Sequence, residues 1–184
     1  MCIRDSVDVI KGFKDAPDFS WPFRPHAVMI TKDGHYLLFD NGLGRNFARI
    51  PMTPSSFSRI VEYEVVEDTS DGLGGTVRQV WEHRLTSDPS WWSMSAFVGD
   101  VDELPNGHRL IVAGALGTTL MPEAMQNVYG EGPRGALIVE VDPVTDTEVY
   151  RMVLLRKVVP NYPLTELTAY RAERIDAYAG LLGD

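Results

Sequence analysis

The sequence predicts an all-β protein, an open arc of a partial β-propeller. Three observations lead there. Short runs rich in β-branched and aromatic residues are separated by Gly, Asp, Asn and Pro signals, helical periodicity is nearly missing from the middle of the chain, and one four-strand pattern occurs twice. Strands are expected at His26 to Thr31, His35 to Asp40, Arg59 to Val66, Thr76 to Arg84, Phe97 to Leu104, Arg109 to Ala113, Ala136 to Asp142 and Glu148 to Leu155.

The first two strands flank Lys32-Asp33-Gly34, and the fifth and sixth flank Pro105-Asn106-Gly107-His108. Asp-Gly and Asn-Gly tolerate positive φ, so both pairs read as tight hairpins. The hairpins are also copies: Asp33-Gly34-His35-Tyr36-Leu37-Leu38-Phe39 aligns with Asn106-Gly107-His108-Arg109-Leu110-Ile111-Val112, and His108 lies 73 residues after His35. A second pair of strands follows each hairpin, one opening with Ile60-Val61-Glu62-Tyr63-Glu64 and the other with Ile138-Val139-Glu140-Val141-Asp142. A small antiparallel sheet repeated in tandem buries its faces against its neighbours, which is the logic of a propeller blade. The interval exceeds the usual blade period of about 40–50 residues, and long connections (41–58, 68–75, 85–96 and 116–134) supply the difference. Two copies do not close a ring, so an open arc with unpaired flanks is expected. The C-terminal stretch from Leu164 to Leu182 fits either a helix or an edge strand, and its spacing favours a helix from Glu166 onward.

The 184 residues are 44% apolar and 23% charged, enough for one core and short for two full domains. Asp and Glu number 26 against 17 Lys and Arg, a formal charge of −9, which argues against non-specific binding to nucleic acid or an anionic membrane. Cys2 is the single cysteine, so neither an internal disulfide nor a cysteine-based metal cluster can be assembled from the chain. No run approaches the roughly 20 apolar residues of a spanning helix. Met1-Cys2-Ile3-Arg4-Asp5-Ser6 fits no pattern around it. Residues 1–18 are therefore read as a linker or artefactual N-terminus ahead of a propeller segment at 19–184, and the natural start is expected upstream.

Four histidines can be weighed singly. His35 and His108 occupy the same place in the two hairpins, so local geometry accounts for both. His83 reads as a surface or blade-edge group. His26 stands apart: it follows Arg24-Pro25 at the mouth of a first strand, Pro25 fixes the approach of the chain, and the second copy has no equivalent. It is either a strand-end histidine with local partners or a catalytic group facing the channel. In Asp40-Asn41-Gly42-Leu43-Gly44-Arg45, two glycines allow a tight loop without a dinucleotide fingerprint. Arg45 can offer a planar fork to an anionic oxygen or bridge to a carboxylate. The run Ser90-Trp91-Trp92-Ser93-Met94-Ser95 reads as core packing or as the wall of an aromatic pocket. Glu62 and Glu64 alternate along a strand and read as solvated. No Ser-His-Asp arrangement or metal-ligand spacing is legible, and no cofactor is called for.

The succession Pro25-His26-Ala27, Asp33-Gly34, Leu38-Phe39-Asp40-Asn41-Gly42 with Gly44-Arg45, Phe57-Ser58-Arg59-Ile60-Val61-Glu62-Tyr63 and Gln79-Val80-Trp81-Glu82 resembles the C-terminal part of bacterial aryl-sulfate sulfotransferases. The likeness runs from about Phe19 to about Arg174, and the order of several separate motifs carries it. It implies two to three blades of a six-bladed ring, export to the periplasm or beyond, and nucleotide-independent transfer of a sulfuryl group from an aryl sulfate to a phenol. It also implies that His26 is the nucleophile that becomes sulfated, making the catalytic reading the favoured one. A loop hydroxyl that faces the sulfate is matched by Ser95, with Ser93 as the alternative, and Arg45 and Asn41 are taken as substrate-binding groups beside it. The family's remaining active-site histidines and its sulfate-binding arginine have no match in this chain. The small molecules implied as partners are the aryl sulfate and the phenol, without nucleic acid or membrane, and self-association into a homo-oligomer stays open. Two rival classes are a propeller hydrolase or lyase and a non-catalytic binding propeller.

Overall fold

The computed structural model describes residues 19–43, 45, 57–68, 74–85, 94–95, 98–116, 135–155 and 169–175. Within them lie eight strands: β1 (Pro25–Ile30), β2 (Tyr36–Asp40), β3 (Arg59–Asp68), β4 (Gly74–Arg84), β5 (Asp100–Glu103), β6 (Arg109–Leu116), β7 (Gly135–Asp142) and β8 (Thr147–Leu155). They form two four-stranded sheets in sequence order, β1-β2-β3-β4 and β5-β6-β7-β8, with every neighbouring pair antiparallel. The fold is all-β, as the turn chemistry predicts. Gly34 and Gly107 hold φ of 82° and 85° in the two hairpin turns, a conformation glycine adopts without steric cost.

The repeat is visible in detail. His35 Nδ1 lies 2.8 Å from Glu62 Oε1 and His108 Nδ1 lies 2.7 Å from Glu140 Oε1, so each turn histidine is tied to the matching glutamate on the third strand of its sheet. Both sheets also carry a register shift just after that glutamate, at Glu62/Tyr63 and at Glu140/Val141. These two histidines are structural.

Side chains alternate across a strand, and here both faces of the first sheet are covered. Leu37, Phe39 and Ile60 pack with Leu85, Val101, Ile111, Leu116, Leu137 and Val139 in the core between the sheets. On the other face Leu38, Val61, Tyr63 and Val77 form a second cluster with Phe19 and Val65. Polar groups on the inner face are therefore buried as well. Glu62, expected to be solvated, is 5% exposed. Its Oε2 accepts from Arg109 Nη2 at 2.9 Å across the seam. Arg109 Nη1 donates to Glu103 at 2.8 Å, and Glu103 accepts from the Lys32 N–H of the first sheet at 2.7 Å. His83, read as a surface or blade-edge group, does sit on edge strand β4, yet it is buried because the β7–β8 turn leans on it and brings Asp146 Oδ1 within 2.8 Å of Nδ1.

Two expected elements differ. β5 begins at Asp100 rather than Phe97, because Val98 at φ 52° keeps the chain out of the ladder. Residues 169–175 form no helix. Ala169 N–H donates to Gly114 O at 3.2 Å and Arg174 Nη1 donates to Glu140 at 2.9 Å, so the segment spends its polar groups on the second sheet instead of on itself. Residues 1–18, most of the long loops and the tryptophans Trp91 and Trp92 lie outside the described residues.

Replacing Arg109 with Ala leaves Glu62 and Glu103 without their shared cation inside the seam, and a loss of about 3–5 kcal/mol is expected in chemical denaturation. The seam also sets an acid limit. Burial pushes the Glu103 carboxyl up, but the Lys32 N–H and the Arg109 guanidinium outweigh it and hold the group below the ordinary carboxylate range. Since the folded value lies under the unfolded one, this contribution is whole above about pH 4.3 and disappears as pH falls through the folded value. The denaturation midpoint should drop on acidification in that window, and Glu103→Gln should flatten the drop.

Candidate functional site

At the end of β2, Asp40 and Asn41 are both fully buried and leave the chain on opposite faces. The Asp40 carboxylate accepts from Phe23 N–H at 2.8 Å, Gly42 N–H at 3.0 Å, Arg45 Nη2 at 2.8 Å and Arg59 Nε at 2.8 Å. Arg59 is itself 1% exposed. Its other nitrogens donate to Glu82, to Gln79 and to Ser20 O, and the Tyr63 hydroxyl donates to Ser20 O at 2.7 Å. This network ties the segment that leads into β1 and His26 to the sheet. The two guanidinium groups compensate the charge of the buried carboxylate.

Asn41 faces the second sheet. Its Nδ2 donates to Ser95 O at 2.7 Å and to Val98 O at 3.0 Å, while its Oδ1 lies 2.5 Å from His26 Nδ1. Ser58 Oγ donates to Asn41 O at 2.8 Å and accepts from Ser95 N–H at 2.9 Å. Gly42 cannot carry a side chain in this loop: φ is 76°, and a Cβ would stand 2.1 Å from Phe57 O. His26 is paired with Phe39 in the β1–β2 ladder, next to a register shift between His26 and Met29. The corresponding β5–β6 ladder runs without one. A bulge turns a side chain out of its regular direction, and here it does so where the two copies differ. Backbone strain gathers at the same place. Of the four non-glycine residues with positive φ among the described residues, Arg24, Ala27 and Val98 flank His26 or its supports.

His26, Asn41 and Ser95 are thus brought together, and Arg45 is not. Its guanidinium is held with Asp40 on the opposite face, 5.8 Å from the Phe23 ring centroid and 4.6 Å from that of Phe57. Burial lowers its pKa from the ordinary arginine value, against the pull of Asp40. Arg45 Nε and Nη1 are buried without a hydrogen-bond partner among the described residues. Ser95, expected to face a substrate, turns inward instead: its hydroxyl donates to Val98 O at 3.0 Å and accepts from Ala115 N–H at 3.1 Å, in a residue with no exposure. Asn41 is equally enclosed. Arg59 and Ser58 escape the sequence reading, because what makes them structural is a set of partners 17 to 39 residues away. Among the described residues no group of three or more His, Cys, Asp or Glu is placed to hold a metal ion.

Two stacked four-stranded antiparallel repeats, with one histidine at the bulged start of a first strand, define a β-repeat protein of propeller-like, all-β class. The model of the arylsulfotransferase (ASST) family matches residues 5–163, and the chain belongs to that family. It is 35% identical over 72 residues to the arylsulfate sulfotransferase AssT of Escherichia coli O6:H1, covering 39% of this chain and 11% of that protein. It is 32% identical over 66 residues to the arylsulfate sulfotransferase AssT of Lelliottia amnigena, covering 36% of this chain and 10% of that protein. The chain therefore matches about a tenth of the length of these curated relatives.

Asp40→Asn halves the charge balance of the network and leaves Arg59 buried beside an amide. A destabilisation of about 3–5 kcal/mol is expected, measured by chemical denaturation, with the amide signals of Phe23 and Gly42 as local reporters.

Proposed function

We propose that this chain supplies the nucleophile-bearing part of an aryl-sulfate sulfotransferase, and that His26 carries the sulfuryl group between donor and acceptor. The observation that carries the reading is the imidazole at the bulged start of β1, engaged through Nδ1 by Asn41, with no protein partner for Nε2 among the described residues. A neutral imidazole is a competent nucleophile near neutral pH, and a covalent intermediate splits one hard transfer into two easier ones.

In the first half-reaction the Nε2 lone pair forms a bond to sulfur as the bond from sulfur to the aryl oxygen breaks. The electron pair leaves with the phenolate, which takes a proton from an acid outside this chain's described residues. In the second half-reaction an acceptor phenol gives its proton to the conjugate base of that same acid, its oxygen bonds to sulfur, and the nitrogen–sulfur electrons return to Nε2. Sulfuryl transfer resembles phosphoryl transfer in its loose, in-line transition state, so donors to the equatorial oxygens are needed. Arg45, bound to Asp40 on the opposite face, is not one of them, and these donors are proposed to come from parts of the whole protein beyond the described residues. Ser95 and Asn41 serve from behind the imidazole, where their hydrogen bonds already point. No cofactor enters this scheme. The whole protein is proposed to work in the periplasm or outside the cell, on small phenols and their sulfates.

The test is made on the whole protein that carries this chain. An aryl sulfate added without acceptor should leave a sulfonated adduct on His26 by peptide mass spectrometry. A phenol acceptor should discharge it, with parallel-line two-substrate kinetics. His26→Ala should lower transfer by roughly 10³-fold or more. Unlabelled His26 together with steady phenol release in the absence of acceptor would overturn the proposal in favour of a hydrolase.

A further inference from the structure

The geometry assigns Asn41 as the positioning residue that fixes which nitrogen of His26 carries the proton. The assignment rests on the proposed role of His26 for its catalytic meaning, but its structural content stands by itself. An asparagine side chain has one donor end and one acceptor end. Here the donor end is identified by its surroundings: two backbone carbonyls, Ser95 O at 2.7 Å and Val98 O at 3.0 Å, accept from Asn41 Nδ2. A flipped amide would set its oxygen against both carbonyls and orphan it in a fully buried site. The oxygen is therefore the end that meets His26 Nδ1 at 2.5 Å. An amide oxygen only accepts, so Nδ1 must be the protonated nitrogen and, in the neutral ring, Nε2 holds the lone pair.

Each link is backed by another. Ser95 is pinned by Ser58 Oγ and by Ala115 N–H, and Val98 O also receives the Ser95 hydroxyl at 3.0 Å. Val98 itself is held at φ 52°, a strained conformation that aims its carbonyl at Asn41. The chain of bonds thus runs from the second sheet through Asn41 to the ring on the first. During transfer the same amide oxygen faces the Nδ1–H of a ring that gains positive charge when Nε2 bonds to sulfur, which favours the intermediate over the free imidazole. Asn41 is a positioning group and does not touch substrate.

The decisive measurement is a long-range proton–nitrogen NMR correlation of the whole protein that carries this chain, labelled with nitrogen-15 in histidine and recorded where the rings are neutral. His26 should show a protonated Nδ1 and an unprotonated, far-downfield Nε2. An Nε2–H pattern in the unmutated chain overturns the assignment without any variant. Asn41→Leu removes the acceptor for Nδ1–H and should shift His26 towards Nε2–H, whereas an asparagine without this role would leave the tautomer unchanged when replaced. The His35 and His108 resonances, tied to Glu62 and Glu140, report whether the variant is folded. In the whole protein Asn41→Leu should lower kcat by roughly 10²–10⁴-fold with a smaller change in KM. A sulfonated His26 whose resting ring carries its proton on Nε2 sinks the role of Asn41 alone. The predicted tautomer with no adduct sinks the sulfotransfer reading alone.

Discussion

The period-two geometry of a β-strand places Asp40 and Asn41 back to back, and the rest of the site depends on that. One side chain turns into the first sheet's outer cluster and gathers two arginines and two backbone amides. The next turns into the seam and joins His26 to carbonyls of the segment that precedes β5. A shift of one residue in the β2 register would exchange these roles. It would put a carboxylate against two carbonyls and an amide between two guanidinium groups. The continuous β2–β3 register from Tyr36↔Tyr63 to Asp40↔Arg59 is what holds the arrangement in place.

Much of the fold was legible because its punctuation is local. Asp33-Gly34 and Asn106-Gly107 mark hairpins by backbone chemistry alone, and the other strands then follow from the runs around them. The late start of β5 was hidden, since nothing in Phe97-Val98-Gly99 announces that Val98 will adopt a left-handed conformation. Residues 169–175 misled for a related reason: the spacing of Tyr170, Arg171 and Arg174 suits a helix, yet Arg174 finds Glu140 and the backbone finds Gly114.

The site was legible only in part. His26 stood out by its asymmetry between the copies, and the bulge beside it gives that asymmetry a physical form. Glu62, Arg59 and His83 were obscure because alternation tells which face a residue takes and not whether another sheet covers that face. Once a second sheet stacks on the first, a glutamate that would be solvated in a single sheet must find a cation, and Arg109 supplies it. Arg45 shows the opposite ambiguity. The sequence allowed an anion fork or a carboxylate bridge, and the structure makes the bridge while leaving two nitrogens uncommitted.

The bonds that hold His26 cross from one sheet to the next, so the unit that could be copied intact is a pair of adjacent sheets together with the joint between them. A single sheet excised and grafted elsewhere would bring along the imidazole and its amide neighbour, but would leave behind the two carbonyls that tell the amide which way to face.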